Sequence, residues 1–356
     1  MDNTLMHPTG HPPCDCRPLQ RCIVLGGTGF LGRAIAGQLV QCGCEVRTFS
    51  RHCPDDLAAA GVQCHCGDIS DRTALREAMR GCQTVFHTIA CCDVWGAREK
   101  FMAVNVEGTR NVLECARECG AKRLIYTSSP SVVVGSGDIV DGDESLPYAT
   151  RFSAWYPATK RLAEEMVLQA DGGALRVCAL RPHLIWGRRD PHLLPGIARA
   201  AANGALRQLG NGENIVSLTH ISNAVFGHLT AAIELCGRAV NAGKAYFICD
   251  AAPVRLWTWI REYLRLAGLP PLRDGFTGRR TAWCIAALSE LAAHLLRSAC
   301  PPHLTKFMVQ QLTQSHSFSW RSAARDFGYH PVTDNSAGLA ETLGQTGSTP
   351  IGKCMP

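Results

Sequence analysis

Residues 21–32 read Arg-Cys-Ile-Val-Leu-Gly-Gly-Thr-Gly-Phe-Leu-Gly, and residues 31–42 carry apolar side chains at helical spacing as far as Gly43. A short apolar run, glycines at 26, 29 and 32, and a helix make a strand–turn–helix unit. Glycine permits the tight turn and lets the main chain approach a pyrophosphate. The helix N-terminus adds unpaired N–H donors and the positive end of its dipole. Gly26, Thr28, Gly29, Phe30, Leu31 and Gly32 are therefore candidates to cradle a dinucleotide. A glycine triplet alone is an ordinary turn; the strand before it and the helix after it lend it weight.

The same alternation continues along the chain. Apolar or β-branched runs at 45–49, 62–66, 84–90, 123–127 and 175–180 predict strands, and 71–80, 101–119 and 156–169 predict helices. Strands alternating with helices imply βαβ units and a parallel sheet. After Arg181 the alternation breaks into helical stretches at 194–202, 222–235 and 256–267, with one strand at 245–248. The expected fold is α/β: a Rossmann-type doubly wound parallel sheet with a smaller, mostly helical C-terminal substrate domain. Residues 1–20 are expected to be a flexible lead-in. The dinucleotide-binding domain should span 21–181 plus about 213–250, and the substrate domain about 182–212 plus 251–345, with 346–356 as a tail.

Two strand ends bear on the cofactor. A site for NAD wants a carboxylate at the end of the second strand, to accept from the ribose 2′-hydroxyl. Here that strand ends in Ser50-Arg51. Arginine pairs a 2′-phosphate, so NADP(H) is expected over NAD(H); the plainer alternative is a solvated loop residue. Asp68-Ile69, ending the third strand, is placed to meet adenine. Asp68 alternatively caps the helix beginning near Asp71.

Proton chemistry is expected at Tyr156-Pro157-Ala158-Thr159-Lys160. Tyrosine and lysine four apart share one helix face, and Pro157 suits a first helical turn. A phenol ordinarily titrates near pH 10. A neighbouring ammonium and a cationic nicotinamide both favour phenolate, which lets Tyr156 pass a proton to or from a substrate oxygen. Thr127-Ser128-Ser129 ends the fifth strand, where a serine hydroxyl can bond the same oxygen.

These motifs run in order over 21–250: GGTGFLG, GDI, VFHTIA, NVEGTRNVLECA, IYTSSPSVV, YPATK and ALRPHLIWG. The chain resembles the extended short-chain dehydrogenase/reductases, and within them the 3β-hydroxysteroid dehydrogenase/isomerase group. The resemblance implies that Tyr156 is the acid/base and that Lys160 holds the nicotinamide ribose and lowers the tyrosine pKa. It implies that Ser129, with Ser128 as rival, binds the reacting oxygen. Asn105 matches a structural helix asparagine, and Pro182 and His183 match the loop beside the nicotinamide. The implied reaction is NADP(H)-dependent reduction of a ketone, or oxidation of the secondary alcohol, with a 2-alkyl-3-oxoalkanoic acid as expected substrate. A 3β-hydroxysteroid dehydrogenase and a sugar-nucleotide epimerase or dehydratase are the alternatives. The chain departs from the family pattern at Arg188-Arg189, usually Pro-Gly, at Ser217, His220 and Ser222, and at Asp93.

Composition narrows the function classes. Of 356 residues 46% are hydrophobic and 19% charged, which makes the chain globular rather than disordered. The net charge of +6 is spread thinly, which argues against nucleic acid as a partner. Nineteen cysteines, odd in number, lie largely inside apolar runs, and the opening residues carry no apolar signal segment. A reduced, cytoplasmic protein without a metal site is expected. The stretch 281–300, TAWCIAALSELAAHLLRSAC, carries Glu290, His294 and Arg297, which argues against a membrane span. It is expected to line the cavity of a hydrophobic substrate; peripheral contact with a membrane or a pathway enzyme, and a homodimer, are further expectations.

Overall fold

The structure is a computed structural model that describes residues 15–296, 298 and 300–344. The first fourteen residues of the expected lead-in, the expected tail and Arg297 lie outside the described residues. Seven strands form the main sheet: β1 Arg21–Leu25, β2 Glu45–Ser50, β3 Gln63–Cys66, β4 Thr84–His87, β5 Arg123–Thr127, β6 Arg176–Pro182 and β7 Lys244–Ile248. Their spatial order is β7-β6-β5-β4-β1-β2-β3, and every pairing is parallel. The order reverses beside β1, the switch point at which such sheets bind ligands outside the carboxyl ends of their strands.

β1 shows why the sheet is covered on both faces. Its side chains alternate, Cys22 and Val24 into one core and Ile23 and Leu25 into the other, all fully buried. On the first face lie α1 Phe30–Gln41, through Ile35 and Leu39, and the helix Ile221–Cys236. On the second lie the helices Arg72–Met79, Gly108–Glu118 and Trp155–Gln169. A third core, around Trp186, Leu256, Trp257 and Ile260, belongs to the second half of the chain. Leu19, placed by sequence in the lead-in, is fully buried in the first core.

The sequence reading of 101–119 as one helix needs amendment. The chain runs as a short helix Arg98–Phe101, a π-helical turn Met102–Glu107, then Gly108–Glu118. Such wide turns re-aim side chains at functional sites, and this one carries Asn105. The expected fully reduced state is also corrected, because Cys53 and Cys66 form a disulfide, their Cα atoms 5.9 Å apart. They lie thirteen positions apart in sequence, and only the parallel pairing of β2 with β3, which sets Ser50 opposite Cys66, brings them together.

Arg189 occupies φ +66°, in the left-handed region. A side chain there costs roughly 1–2 kcal/mol relative to glycine. Arg189→Gly is therefore expected to stabilise the fold by about 1 kcal/mol, read as a raised urea midpoint at unchanged slope. A lowered midpoint would mean that the guanidinium makes contacts that outweigh the strain.

Candidate active site

The glycine turn closes around its own backbone. Gly26 sits at φ +88°, and a Cβ on Gly32 would lie 2.2 Å from the Gly26 carbonyl oxygen. Neither position admits a side chain, and the resulting cradle opens onto the start of α1. Gly29 caps that helix without a side-chain hydrogen bond, so the first N–H groups keep the anion-binding character that a dinucleotide pyrophosphate fits. The Ser50 hydroxyl accepts from the Thr28 N–H at 3.3 Å, tying the end of β2 to the turn. Arg51 is exposed just beyond. Asp68 accepts from the N–H and hydroxyl of Ser70, at 2.9 and 2.6 Å, and these bonds, then the Arg51 charge, hold its carboxyl below the ordinary range. The helix cap itself is Asp71, not Asp68. Ile69 is buried against Gly108, whose Cβ position would lie 2.9 Å from it.

Tyr156 stands in the first turn of Trp155–Gln169, near enough to Ser129 and to Cys92 for both to act on its ionisation. Ser129 is oriented by Ser131, whose N–H and hydroxyl donate to its Oγ at 3.2 and 3.0 Å. Ser128, the rival, is buried with its N–H on the Leu180 carbonyl at 2.6 Å. Lys160 is fully buried and donates to the Tyr126 hydroxyl and the Thr127 carbonyl, each at 2.6 Å. The expectation that Lys160 lowers the Tyr156 pKa is not met by the chain alone. Burial pushes the phenol up, Cys92 adds to the rise, and the Ser129 bond opposes it. Burial likewise lowers the Lys160 ammonium to about 8.

That value fixes a pH dependence. Lys160 carries its charge below about pH 8 and loses it above. Since the profile of kcat/KM reports groups of the free enzyme, kcat/KM for ketone reduction is expected to bend downward near pH 8. A profile flat to pH 10 would show that the ammonium charge is not needed.

Asn105 holds the strand end opposite. Its Oδ1 accepts from the Cys91 N–H at 2.7 Å, and its Nδ2 donates to Cys91 O at 3.2 Å and to Thr159 Oγ1 at 3.0 Å. The β4 loop and the tyrosine helix are thus fastened together. Pro182 ends β6, paired with Ile248. His183 is buried, its Nδ1 on the Ser217 carbonyl at 2.6 Å, and burial drops its pKa to about 4. Sequence reasoning assigned no role to Tyr126, which receives the lysine, or to Cys92, which lies near the phenol. Tyr126 lies inside a motif already quoted; Cys92 carried no signal among so many cysteines.

Two cavities lie near the start of the tyrosine helix, and Tyr156, Ser129 and Lys160 line neither. One, of about 360 Å³, is lined by Val94, Trp95, Phe101 and Trp155, with Glu290 and His294. The other, of about 740 Å³, is bounded by Val133, Leu146, Trp283, Arg151 and Lys306. The helix Arg279–Leu295 thus reaches the smaller cavity through Glu290 and His294, the latter tilted against Trp95 with ring centroids 4.7 Å apart, and the larger through Trp283. Leu291 and Leu295 are 55% and 75% exposed. The stretch 281–300 therefore lines the cavities, but not through these leucines. Among the described residues no helix is long and apolar enough to cross a membrane, and no cluster of three His, Cys, Asp or Glu is arranged to hold a metal.

Comparison with known proteins agrees with this architecture. Residues 23–273 match the profile of the 3-beta hydroxysteroid dehydrogenase/isomerase family. The chain is 39% identical to the 2-alkyl-3-oxoalkanoate reductase of Stenotrophomonas maltophilia, over 90% of this chain and 97% of the relative. It is 36% identical to the enzyme of that name from Shewanella oneidensis, over 90% and 85%. Among solved structures, MoeE5 in complex with UDP-glucose and NAD superposes with a TM-score of 0.70 at 22% identity, covering 92% of this chain and 98% of that one.

Proposed function

The chain belongs to the 3-beta hydroxysteroid dehydrogenase/isomerase family of short-chain oxidoreductases, and from this we propose that it is an NADPH-dependent reductase of 2-alkyl-3-oxoalkanoic acids. The carrying observation is Tyr156 beside Ser129 and on one helix with the buried Lys160, whose ammonium is bonded to Thr127 at the end of β5. Bound cofactor supplies the hydride to the carbonyl carbon. Ser129 donates a hydrogen bond to the carbonyl oxygen, and Tyr156 gives that oxygen its proton, yielding the 3-hydroxy acid. The phenol is protonated at neutral pH, as reduction requires, although burial makes it the weaker acid. Lys160 holds the strand end through Thr127, and in this reading it would also hold the nicotinamide ribose.

The substrate class draws on the two cavities. The acid carries one alkyl chain on C2 and another on the reacting carbonyl carbon C3, and two cavities with apolar side chains in their walls lie near the start of the tyrosine helix. Arg151, exposed at the rim of the larger one, offers a cation to the carboxylate. The test is turnover of NADPH with a 2-alkyl-3-oxoalkanoic acid, beside NADP⁺ with a 3β-hydroxysteroid and a UDP-sugar alone. Fast reduction of the oxo acid is expected. Preferred turnover of the steroid or the sugar nucleotide would replace this reading.

The choice of NADPH rests on Ser50-Arg51, which offers no carboxylate to a ribose hydroxyl and one guanidinium to a phosphate. Arg51→Ala removes a charge-assisted contact of about 1.5–3 kcal/mol. The NADPH dissociation constant should rise roughly ten- to hundredfold, with that of NADH nearly unchanged. Equal affinity of the unmodified protein for both cofactors would defeat the choice.

A further inference from the structure

The Cys53–Cys66 bridge joins the two loops that hold the candidate adenosine-end residues. Cys53 lies two residues after Arg51, and Cys66 two before Asp68. We propose that Cys53 and Cys66 are a reversible thiol–disulfide site that sets the affinity for the cofactor's 2′-phosphate through the mobility of Arg51; this rests on the NADPH reading above. The pair is open to small thiols, since Cys66 is exposed and Cys53 half-buried. Exposed bridges are the exchangeable ones, unlike those sealed in a core.

The two sides of the bridge are unequally anchored. On the β3 side Gly67 is packed so closely that a Cβ would lie 2.6 Å from the Phe49 ring. On the β2 side the short helix Asp55–Ala59 is held by its buried Leu57 and by the Asp56–Arg33 ion pair, and the segment 51–54 between it and Ser50 lies outside helix and strand. Opening the bridge therefore frees the arginine loop, while the β3 side stays fixed. Closing it transfers one sulfur–sulfur bond: Cys53–SH and Cys66–SH with glutathione disulfide give the protein disulfide and two glutathione thiols. One cysteine attacks glutathione disulfide and the other then attacks the mixed disulfide; each thiol gives its proton to solvent as it becomes the thiolate, and each departing glutathione thiolate takes one up.

A closed bridge preorganises the Arg51 backbone for the phosphate, so less ordering remains to be done on binding. The test equilibrates the full-length protein with glutathione disulfide or with dithiothreitol and identifies the bridged peptide by mass spectrometry. NADPH and NADH affinities are then measured for each state. Oxidised protein should bind NADPH about three- to tenfold more tightly than reduced protein, with a smaller change for NADH. Cys53→Ser and Cys66→Ser should behave as reduced protein in both buffers. Equal NADPH affinity in the two states of the unmodified protein, with the bridge verified, overturns the proposal. So does a redox shift that persists in Cys53→Ser, since other thiols would then cause it. Failure of the cofactor reading looks different: NADH would bind as tightly as NADPH in both states.

Discussion

Tyr156→Phe is expected to lower single-turnover oxidation of NADPH by the oxo acid by about a hundred- to ten-thousand-fold, the usual worth of general acid–base help. The ring would remain, with its edge contact to Phe307 at 6.5 Å between centroids, so the local packing is kept. Only the hydroxyl, the proton donor, is removed. NADPH affinity should hardly change, because the phenol is not the group that anchors the ribose. Lys160→Ala differs on this point. It deletes an ammonium bonded to Tyr126 and Thr127 and should impair affinity and turnover together. Near-normal turnover in Tyr156→Phe would show that the proton comes from elsewhere.

Glu164→Ala is expected to cost about 3–5 kcal/mol of stability, the usual effect of stranding a buried charge. Glu164 lies one turn beyond Lys160 and is fully buried, with Arg181 of β6 paired to it at 2.5 Å and the Tyr148 hydroxyl donating to it at 2.8 Å. The pair fastens the tyrosine helix to the sheet. Removing the carboxylate leaves the Arg181 guanidinium without its counter-ion in a site only 5% exposed. Replacing both, as Glu164→Leu with Arg181→Met, should be milder than either single change, because no charge is left unpaired. Denaturant midpoints of the singles and the double give the cycle. A loss below about 1 kcal/mol for Glu164→Ala would put the pair in the class of exposed bridges instead.

Local grammar carried most of the fold. The run 21–32 specified strand, turn and helix by itself, because glycine spacing and apolar periodicity act over a few residues. β1 and β5 begin and end where the sequence predicts. The tyrosine and lysine were legible for the same reason, since four residues on a helix set their common face. What required contacts distant in sequence was not legible. The pairing of Cys53 with Cys66 depends on two parallel strand ends meeting. The π-helical turn at Asn105 depends on a loop and a second helix that the asparagine must bond together. The stretch 281–300 declared its apolar content but not its facing. Glu290 and His294 turn toward the cavity while Leu291 and Leu295 turn outward, because that choice is made by the neighbours the helix packs on. The ionisation of the active site was decided the same way: a lysine nearby in sequence raises the expectation of a lowered phenol, and burial in the assembled fold reverses it.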